Sequence, residues 1–474
     1  MLTVADIFDA LSGLRPSGAE GQVVVDATVD SRTAISGAMF VALPGERLNG
    51  HDFVDDAFEN GACLAIIQRD VSPQHRILDL RLPLTPDDFQ TLTYPLCLRV
   101  EDSLLALQRV ASYWRRKIDV RVIGITGSVG KSTTKEVTAR VLSQRYSTLK
   151  NPGNLNNEIG LPLTVLQLTK NHQRAVLEMG LYVPGEIALL CDIALPHVGV
   201  VTNVGTVHAE RAGSQEAIAR GKAELLRALP PAPAGVAVLN YDDLWVRGMA
   251  EQTKARVFFY GLDPQADLWA DGVEGLGLDG IRFRLHYGNE ILHLRIPMLG
   301  RHSVHTALRA AAVGLIEGLS WQEIVSGLRS SQVELRLVAV RAFNGAIILD
   351  DTYNASPDSV LAALNLLSEL DGRKVAVLGD MLELGPYERQ GHTLVGIRAA
   401  DVADVLITVG LKAQMIAEAA QQAGLSPKAI EKFDNNQQAI DWLKEHMELT
   451  DVVLVKGSHG MRMDCIVESL EARP

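Results

Sequence analysis

The sequence predicts an α/β protein of about three domains, and three stretches carry that prediction. Residues 120 to 146 read as strand, glycine turn and helix. Between residues 346 and 455, short β-branched runs alternate with helical patterns, as in a parallel sheet. Between residues 256 and 297, apolar and polar residues alternate on both sides of Gly288-Asn289. That pattern predicts an antiparallel hairpin on the edge of a parallel sheet.

The first stretch is VRVIGITGSVGKSTTKEVTARVLSQRY. Residues 120 to 126 are short, apolar and β-branched, a buried strand. Gly127, Ser128, Val129 and Gly130 make a tight turn, and a helix follows with Val137, Val141, Leu142 and Tyr146 on its apolar face. A glycine turn feeding a helix start presents backbone N–H groups and a positive dipole end to an anion. Lys131 adds a point charge for β/γ-phosphates, and Ser132 or Thr133 a hydroxyl for Mg²⁺. The general phosphate-loop pattern has glycine where Ile125 stands, leaving the shorter Gly-x-x-Gly-Lys-Ser. Taken alone, the pattern leaves open a nucleotide site and an ordinary turn with a solvated lysine.

Composition narrows the class. The 474 residues can bury sizeable cores, and 47% are hydrophobic, as in a globular chain. A net charge of −12 argues against a general nucleic-acid or membrane-surface binder, so anionic ligands must be held locally. Cys63, Cys97, Cys191 and Cys465 are scattered, which fits a reducing compartment. The start, MLTVADIFDALSG, lacks a basic region and is not expected to be a signal peptide, and no apolar run is long enough to span a membrane.

Taken in order, residues 1 to 99 form a small α/β unit. Helices are expected at 3–11 and 50–59, strands at 23–29, 38–43 and 61–68, and an irregular crossing at 70–96. Ser31 and Arg32 end a strand, where they fit a ligand contact or, more blandly, a cap and a solvated arginine. The central unit spans residues 100 to 330. Asp102 caps a helix over 103–117. Residues 151 to 163 are a polar loop whose Asn154, Asn156 and Asn157 suit phosphate donation or Asx turns equally. Strands end at Glu178 and at Thr202-Asn203, with His208 just beyond. In a doubly wound sheet such ends gather around a nucleotide. A lone His208 is ordinarily structural, and Lys222, within a helix capped by Ser214, reads by spacing as a surface lysine. Residues 331 to 474 form a second parallel unit without a phosphate loop. Ser356-Pro357 opens a helix, and the ligand edge should hold residues 351–356, 380–383 and 456–458.

The ordered set GITGSVGKSTTKE, NLNNEIGLPLTVL, LEMG, TNVGTVHAE, ARGKAELL, DDTYNASPDS, VAVLGDMLELG and VLVKGSHGMRMD resembles the Mur ligases across residues 30 to 464. The resemblance implies a small N-terminal α/β domain for the UDP end of a precursor (1–99), a central P-loop ATPase-like domain with a mostly parallel sheet (100–330), and a C-terminal Rossmann-like domain (331–474). It implies an ATP-dependent amide ligase that joins D-alanyl-D-alanine to UDP-N-acetylmuramoyl-tripeptide through an acyl phosphate, releasing ADP and phosphate. This would be a cytoplasmic, monomeric step of peptidoglycan and cell-wall synthesis. The alternative is a relative that adds a single amino acid.

Residue by residue, the resemblance places Ser31 and Arg32 on the UDP side. Gly127, Ser128, Val129, Gly130, Lys131, Ser132, Thr133, Asn156, Asn157, Ser303, Arg336 and Asp351 fall on ATP. Ser132 or Thr133 and Glu178 fall on one Mg²⁺, and His208 with a carbamate made on Lys222 from CO₂ on a second. Asn354, Ser356 and Lys456 fall where the dipeptide meets the closing domain. Lys131, Glu178, His208 and Lys222 form the implied catalytic set. The sequence departs from the family at Ser303 and Thr306, where asparagines are usual, and at His459, where a basic residue is usual.

Overall fold

The computed structural model describes residues 1–45, 48–89, 92–206, 209–330 and 338–472. His208 and Arg336 therefore lie outside the described residues. Three sheets organise the chain. The first is parallel throughout: β1 (Ala27–Thr28), β2 (Met39–Val41), β3 (Leu64–Ile67), β4 (Arg76–Asp79) and β5 (Leu96–Arg99), in the order β1-β2-β3-β5-β4. β4 lies within the stretch expected to be irregular. It is a short edge strand with only two apolar residues, Ile77 and Leu78, between charged ends, which leaves little signal to read. The strand expected over 23–29 shrinks to two residues, with Val23 bridging Thr3 instead.

The second sheet holds β6 (Arg121–Thr126), β7 (Thr148–Lys150), β8 (Arg174–Glu178), β9 (Val198–Val201), β10 (Val236–Asn240), β11 (Arg256–Gly261), β12 (Leu268–Gly275), β13 (Ile281–Tyr287) and β14 (Glu290–Ile296). Its order is β14-β13-β12-β11-β10-β9-β6-β8-β7. The expected antiparallel edge is present. β13 pairs with β14 through Tyr287↔Glu290, so Gly288 and Asn289 form a two-residue turn. Gly288 takes φ +55°, which suits the first position of such a turn.

The third sheet is β15 (Val338–Arg341), β16 (Ile347–Asp350), β17 (Arg373–Gly379), β18 (Val405–Val409), β19 (Ile430–Phe433) and β20 (Asp451–Lys456), in the order β15-β16-β20-β17-β18-β19. Only β15 runs antiparallel to its neighbour. Alternation along β20 divides the packing between two faces: Val452 and Leu454 enter one apolar layer, Val453 and Val455 the other. Strands β15 and β19 were not expected, because both are four-residue edge strands with no fully buried residue, too short to give a periodic signal.

Seven helices matter below: α1 (Ser103–Lys117), α2 (Lys131–Ser143), α3 (Gly160–Leu166), α4 (Gln215–Arg227), α5 (Ser303–Ile316), α6 (Trp321–Arg329) and α7 (Pro357–Ser368). Asp102, Ser214 and Ser356 cap α1, α4 and α7, as read from the sequence. α3 begins inside the polar loop. Its Pro162 falls in the first turn, where a missing N–H costs no helical bond.

The chain parts into two compact units. One comprises residues 1–124, 146–180 and 185–197, the other residues 125–145, 181–184 and 198–474.

Candidate active site

The second unit contains the glycine turn. Gly127 and Gly130 have φ of +149° and +81°, conformations that side chains rarely adopt. A Cβ on Gly127 would lie 1.8 Å from the Thr202 hydroxyl. That hydroxyl donates to the Val129 carbonyl at 2.7 Å. The Asn203 side-chain oxygen accepts from the amides of Ser128 and Val129, at 3.1 and 2.8 Å. Residues at the end of β9 thus fix the first half of the turn. The second half opens α2, whose N-cap is Gly130 with no side chain capping it. The α2 start is therefore shaped for an anion from outside. The Lys131 amine donates to the Gly127 and Ser128 carbonyls at 2.9 and 3.3 Å, holding the cation over the turn.

The turn lines a cavity of about 380 Å³, a volume suited to a small ligand. The start of α5 forms a second wall. Ser303 is buried and donates to the Leu299 carbonyl at 2.6 Å, so its hydroxyl proton is used within the helix start. His302 lines the cavity and is exposed there. The protein crowded around it first, then the nearby His305, Arg309 and Lys456, lower its imidazole. His305 contacts Asp242 at 2.8 Å.

The third sheet contributes another wall. The buried Lys456 amine pairs with Asp351 at 2.7 Å and donates to the Asn354 carbonyl at 2.8 Å. Asn354 also accepts, at its side-chain oxygen, from the Ala355 amide at 2.9 Å. Ser356 lines the cavity, but its hydroxyl works as the α7 cap, accepting from the Ser359 amide at 3.4 Å. Asp358, in the first turn of α7, faces the same space. Burial and then Asp243 push its carboxyl up. The strand ends expected to form a ligand edge do converge: the Ser458 amide donates to the Asp380 carbonyl at 3.0 Å, and the Leu382 amide to the Ser458 hydroxyl at 2.8 Å.

Lys222 differs from its spacing-based reading. It is 1% exposed, on the inner face of α4, not on the surface. Burial first, then the Lys131 charge, lower its amine well below the ordinary lysine range. A buried, readily neutral amine is a nucleophile rather than a counter-ion.

The remaining predicted residues belong to the first unit. Glu178 is fully buried at the end of β8, and its carboxylate accepts from the Asn156 side chain at 2.9 Å. The Asn157 side-chain oxygen accepts from the Gly160 amide at 2.9 Å, an Asx-type contact at the start of α3. Arg32 is 86% exposed and forks onto Asp30, while Ser31 is buried beneath that turn. Sequence reasoning placed Thr202 and Asn203 at a strand end expected near a nucleotide, but assigned no role to Tyr260, Arg309 or Asp358. Arg309 in an alanine-rich helix was an available signal. Among the described residues, no three His, Cys, Asp or Glu side chains cluster as a metal site.

Comparison with known proteins adds a family. Family models described as Mur ligase middle domain, Mur ligase glutamate ligase domain and Mur ligase family catalytic domain match residues 125–314, 335–459 and 27–79. The UDP-N-acetylmuramoyl-tripeptide–D-alanyl-D-alanine ligase of Bacillus subtilis is 34% identical, over 100% of this chain and 99% of that one. The Escherichia coli ligase of the same name is 33% identical, over 99% and 98%. Among solved structures, MurF from Acinetobacter baumannii superposes with a TM-score of 0.84 at 31% identity, over 98% of both chains. MurF from Thermotoga maritima, crystallised in complex with ADP, gives 0.79 at 28% identity, over 95% of this chain and 98% of that one.

Proposed function

Since the chain belongs to the Mur ligase family, and is thereby an ATP-dependent ligase, we propose that it joins D-alanyl-D-alanine to UDP-N-acetylmuramoyl-tripeptide. The observation that carries the reading is the uncapped α2 start, with Lys131 over it, lining one cavity with Asp351 and Lys456. Full-length similarity to ligases of that name supports the choice of substrates. The division into 1–99, 100–330 and 331–474 is our working assignment of UDP, ATP and closing parts, and the three sheets support it.

A carboxylate does not condense with an amine at neutral pH, because its oxygen leaves poorly. In the proposed reaction the terminal carboxylate of the tripeptide attacks the γ-phosphorus of ATP. An O–P bond forms, the bond to the β-phosphate oxygen breaks, and ADP leaves. The dipeptide amine then attacks the acyl carbon, the C–O bond to phosphate breaks, and the amine loses a proton to solvent. The first step joins two anions. Lys131 and the α2 N–H groups offset their repulsion and the charge developing in transfer.

Mg²⁺, when bound, supplies Lewis-acid neutralisation of the same charge. Oxygen donors suit that ion. We assign Ser132 or Thr133 and Glu178 to one ion, and His208 and Lys222 to a second. Lys222 would serve as a carbamate: its neutral amine adds to the carbon of CO₂, forming an N–C bond and shedding a proton. Its burial and lowered basicity support this role. Asn156, Asn157, Ser303, Arg336 and Asp351 are assigned to ATP, Asn354, Ser356 and Lys456 to the dipeptide and closure, and Ser31 and Arg32 to the UDP end. We place the reaction in the cytoplasm, where ATP is supplied. No helix among the described residues is long and apolar enough to cross a membrane.

Phosphate release decides the matter. Purified protein with ATP, Mg²⁺ and UDP-muramoyl-tripeptide should release phosphate when given D-alanyl-D-alanine and not when given single amino acids. Lys131→Ala should lower that rate by about 10²-fold or more, and removing CO₂ should slow the wild type. Turnover with a single amino acid, or an unaffected Lys131→Ala, overturns the reading.

A further inference from the structure

Arg309 lies on α5, two residues past Ala307, and is the one charged residue among the buried residues of that helix. It is 5% exposed. One guanidinium nitrogen donates to the Thr306 hydroxyl at 2.8 Å, another to the Tyr260 hydroxyl at 3.3 Å, and the Tyr260 ring lies 5.8 Å away. Its Nε is buried without a partner. Both acceptors are neutral, and among the described residues no carboxylate pairs with this cation. Buried charges are ordinarily paired, because an uncompensated one is costly to hold out of water.

The direction in which the group points is set by the glycine turn. A Cβ on Gly130 would lie 3.2 Å from an Arg309 terminal nitrogen. The guanidinium therefore abuts the α2 start and lines the same cavity. One of its two holders also ties it to the turn: the Tyr260 hydroxyl donates to the Thr202 carbonyl at 3.3 Å, and the Thr202 hydroxyl donates to the Val129 carbonyl. The arrangement presents a pre-oriented fork, short of an anion, beside a helix start that has no cap.

We propose that Arg309 is a nucleotide-binding residue that donates to phosphate oxygens of ATP or ADP beside Gly130, and that the phosphates supply its missing counter-charge. A planar fork suits phosphate recognition. The proposal rests on the ATP site argued above and adds a residue to it. Thr306 has a defined part here: its hydroxyl accepts from the guanidinium and orients it.

Titration calorimetry with ADP and Mg²⁺, and separately with adenosine, tests the idea on the full chain. Arg309→Met should weaken ADP binding by about tenfold or more and leave adenosine binding within about twofold. A role in packing alone would weaken both ligands together. Arg309→Gln takes its place if the methionine variant does not fold, with the same expectation. Equal ADP affinity in wild type and variant, or an equal loss for adenosine, overturns the proposal. Failure of the wild type to bind ADP overturns the underlying ATP site as well, whereas a wild type that binds ADP through Lys131 but not Arg309 leaves that site standing.

Discussion

Gly127 decides the shape of the turn more than any charged residue near it. Its φ of +149° excludes ordinary side chains, and the Thr202 hydroxyl occupies the place a Cβ would take, 1.8 Å away. Gly127→Ala is therefore expected to cost about 1–3 kcal/mol from backbone conformation alone, and to weaken ADP binding as Val129 is displaced. Thermal melts and calorimetry on the variant check both. Adding Thr202→Ala should recover only part of the stability, because the Thr202 Cβ would still stand 2.9 Å from the new methyl. The importance of this glycine was legible in the sequence, since a strand, two glycines and a helix leave few alternatives. Lys222 was not. Spacing counts a lysine as solvated, and only the packing of α4, which turns Gly221, Lys222, Leu225 and Leu226 inward, shows otherwise. The motif resemblance pointed to it; periodicity pointed away.

Among the elements, α6 shows how one carboxylate can serve two structures. Ser320 and Glu323 form a capping box, with the Glu323 carboxylate accepting from the Ser320 amide at 2.8 Å. The same carboxylate takes a two-pronged contact from Arg145, at 2.9 and 2.6 Å, just beyond the end of α2. First Arg145 and then Ser320 hold its carboxyl down to about 2, against 4.5 ordinarily. Because the folded value is depressed, the stabilisation is present above 4.5 and is lost as pH falls from 4.5 through about 2. Glu323→Gln should therefore melt below the wild type at pH 7, and the gap should close near pH 2. A gap that persisted in acid would assign the effect to shape and not to charge. The helix that this pair secures packs tightly on α2: a Cβ on Gly327 would meet the Val141 Cα at 2.6 Å. Long periodic elements such as α1 and the hairpin were read from the sequence nearly to the residue. β4, β15 and β19 were not, because an edge strand needs backbone pairing on one side only and can be as short as four residues and partly exposed. α3 was hidden by asparagines before it and a proline within it, both of which suit a helix start as well as a loop.

At the scale of the molecule, residues distant in sequence meet at one cavity: the turn at 127–133, the start of α5, and Asp351 with Lys456 from the third sheet. If that cavity holds the nucleotide, stability and binding must be linked. A ligand that binds only the folded chain adds RT ln(1 + [L]/Kd), about 2.7 kcal/mol at a hundredfold excess over Kd. The Lys456–Asp351 pair separates the two contributions, because Lys456 is buried and Asp351 is its carboxylate partner at 2.7 Å. Asp351→Asn leaves that ammonium without its counter-charge, an expected loss of about 3 kcal/mol without any ligand. The Asn354 carbonyl, which still accepts from the amine, keeps the loss at the lower end for such pairs. A merely structural pair would lower the melting point of free and ADP-bound protein equally. A pair that also orders the nucleotide wall should lower the bound form more. The rise in melting temperature at a fixed ADP and Mg²⁺ concentration should then be smaller in Asp351→Asn than in the wild type. Differential scanning calorimetry with and without ADP measures both quantities in one experiment. An unchanged ADP increment would confine Asp351 to holding the third sheet together and remove it from the nucleotide site.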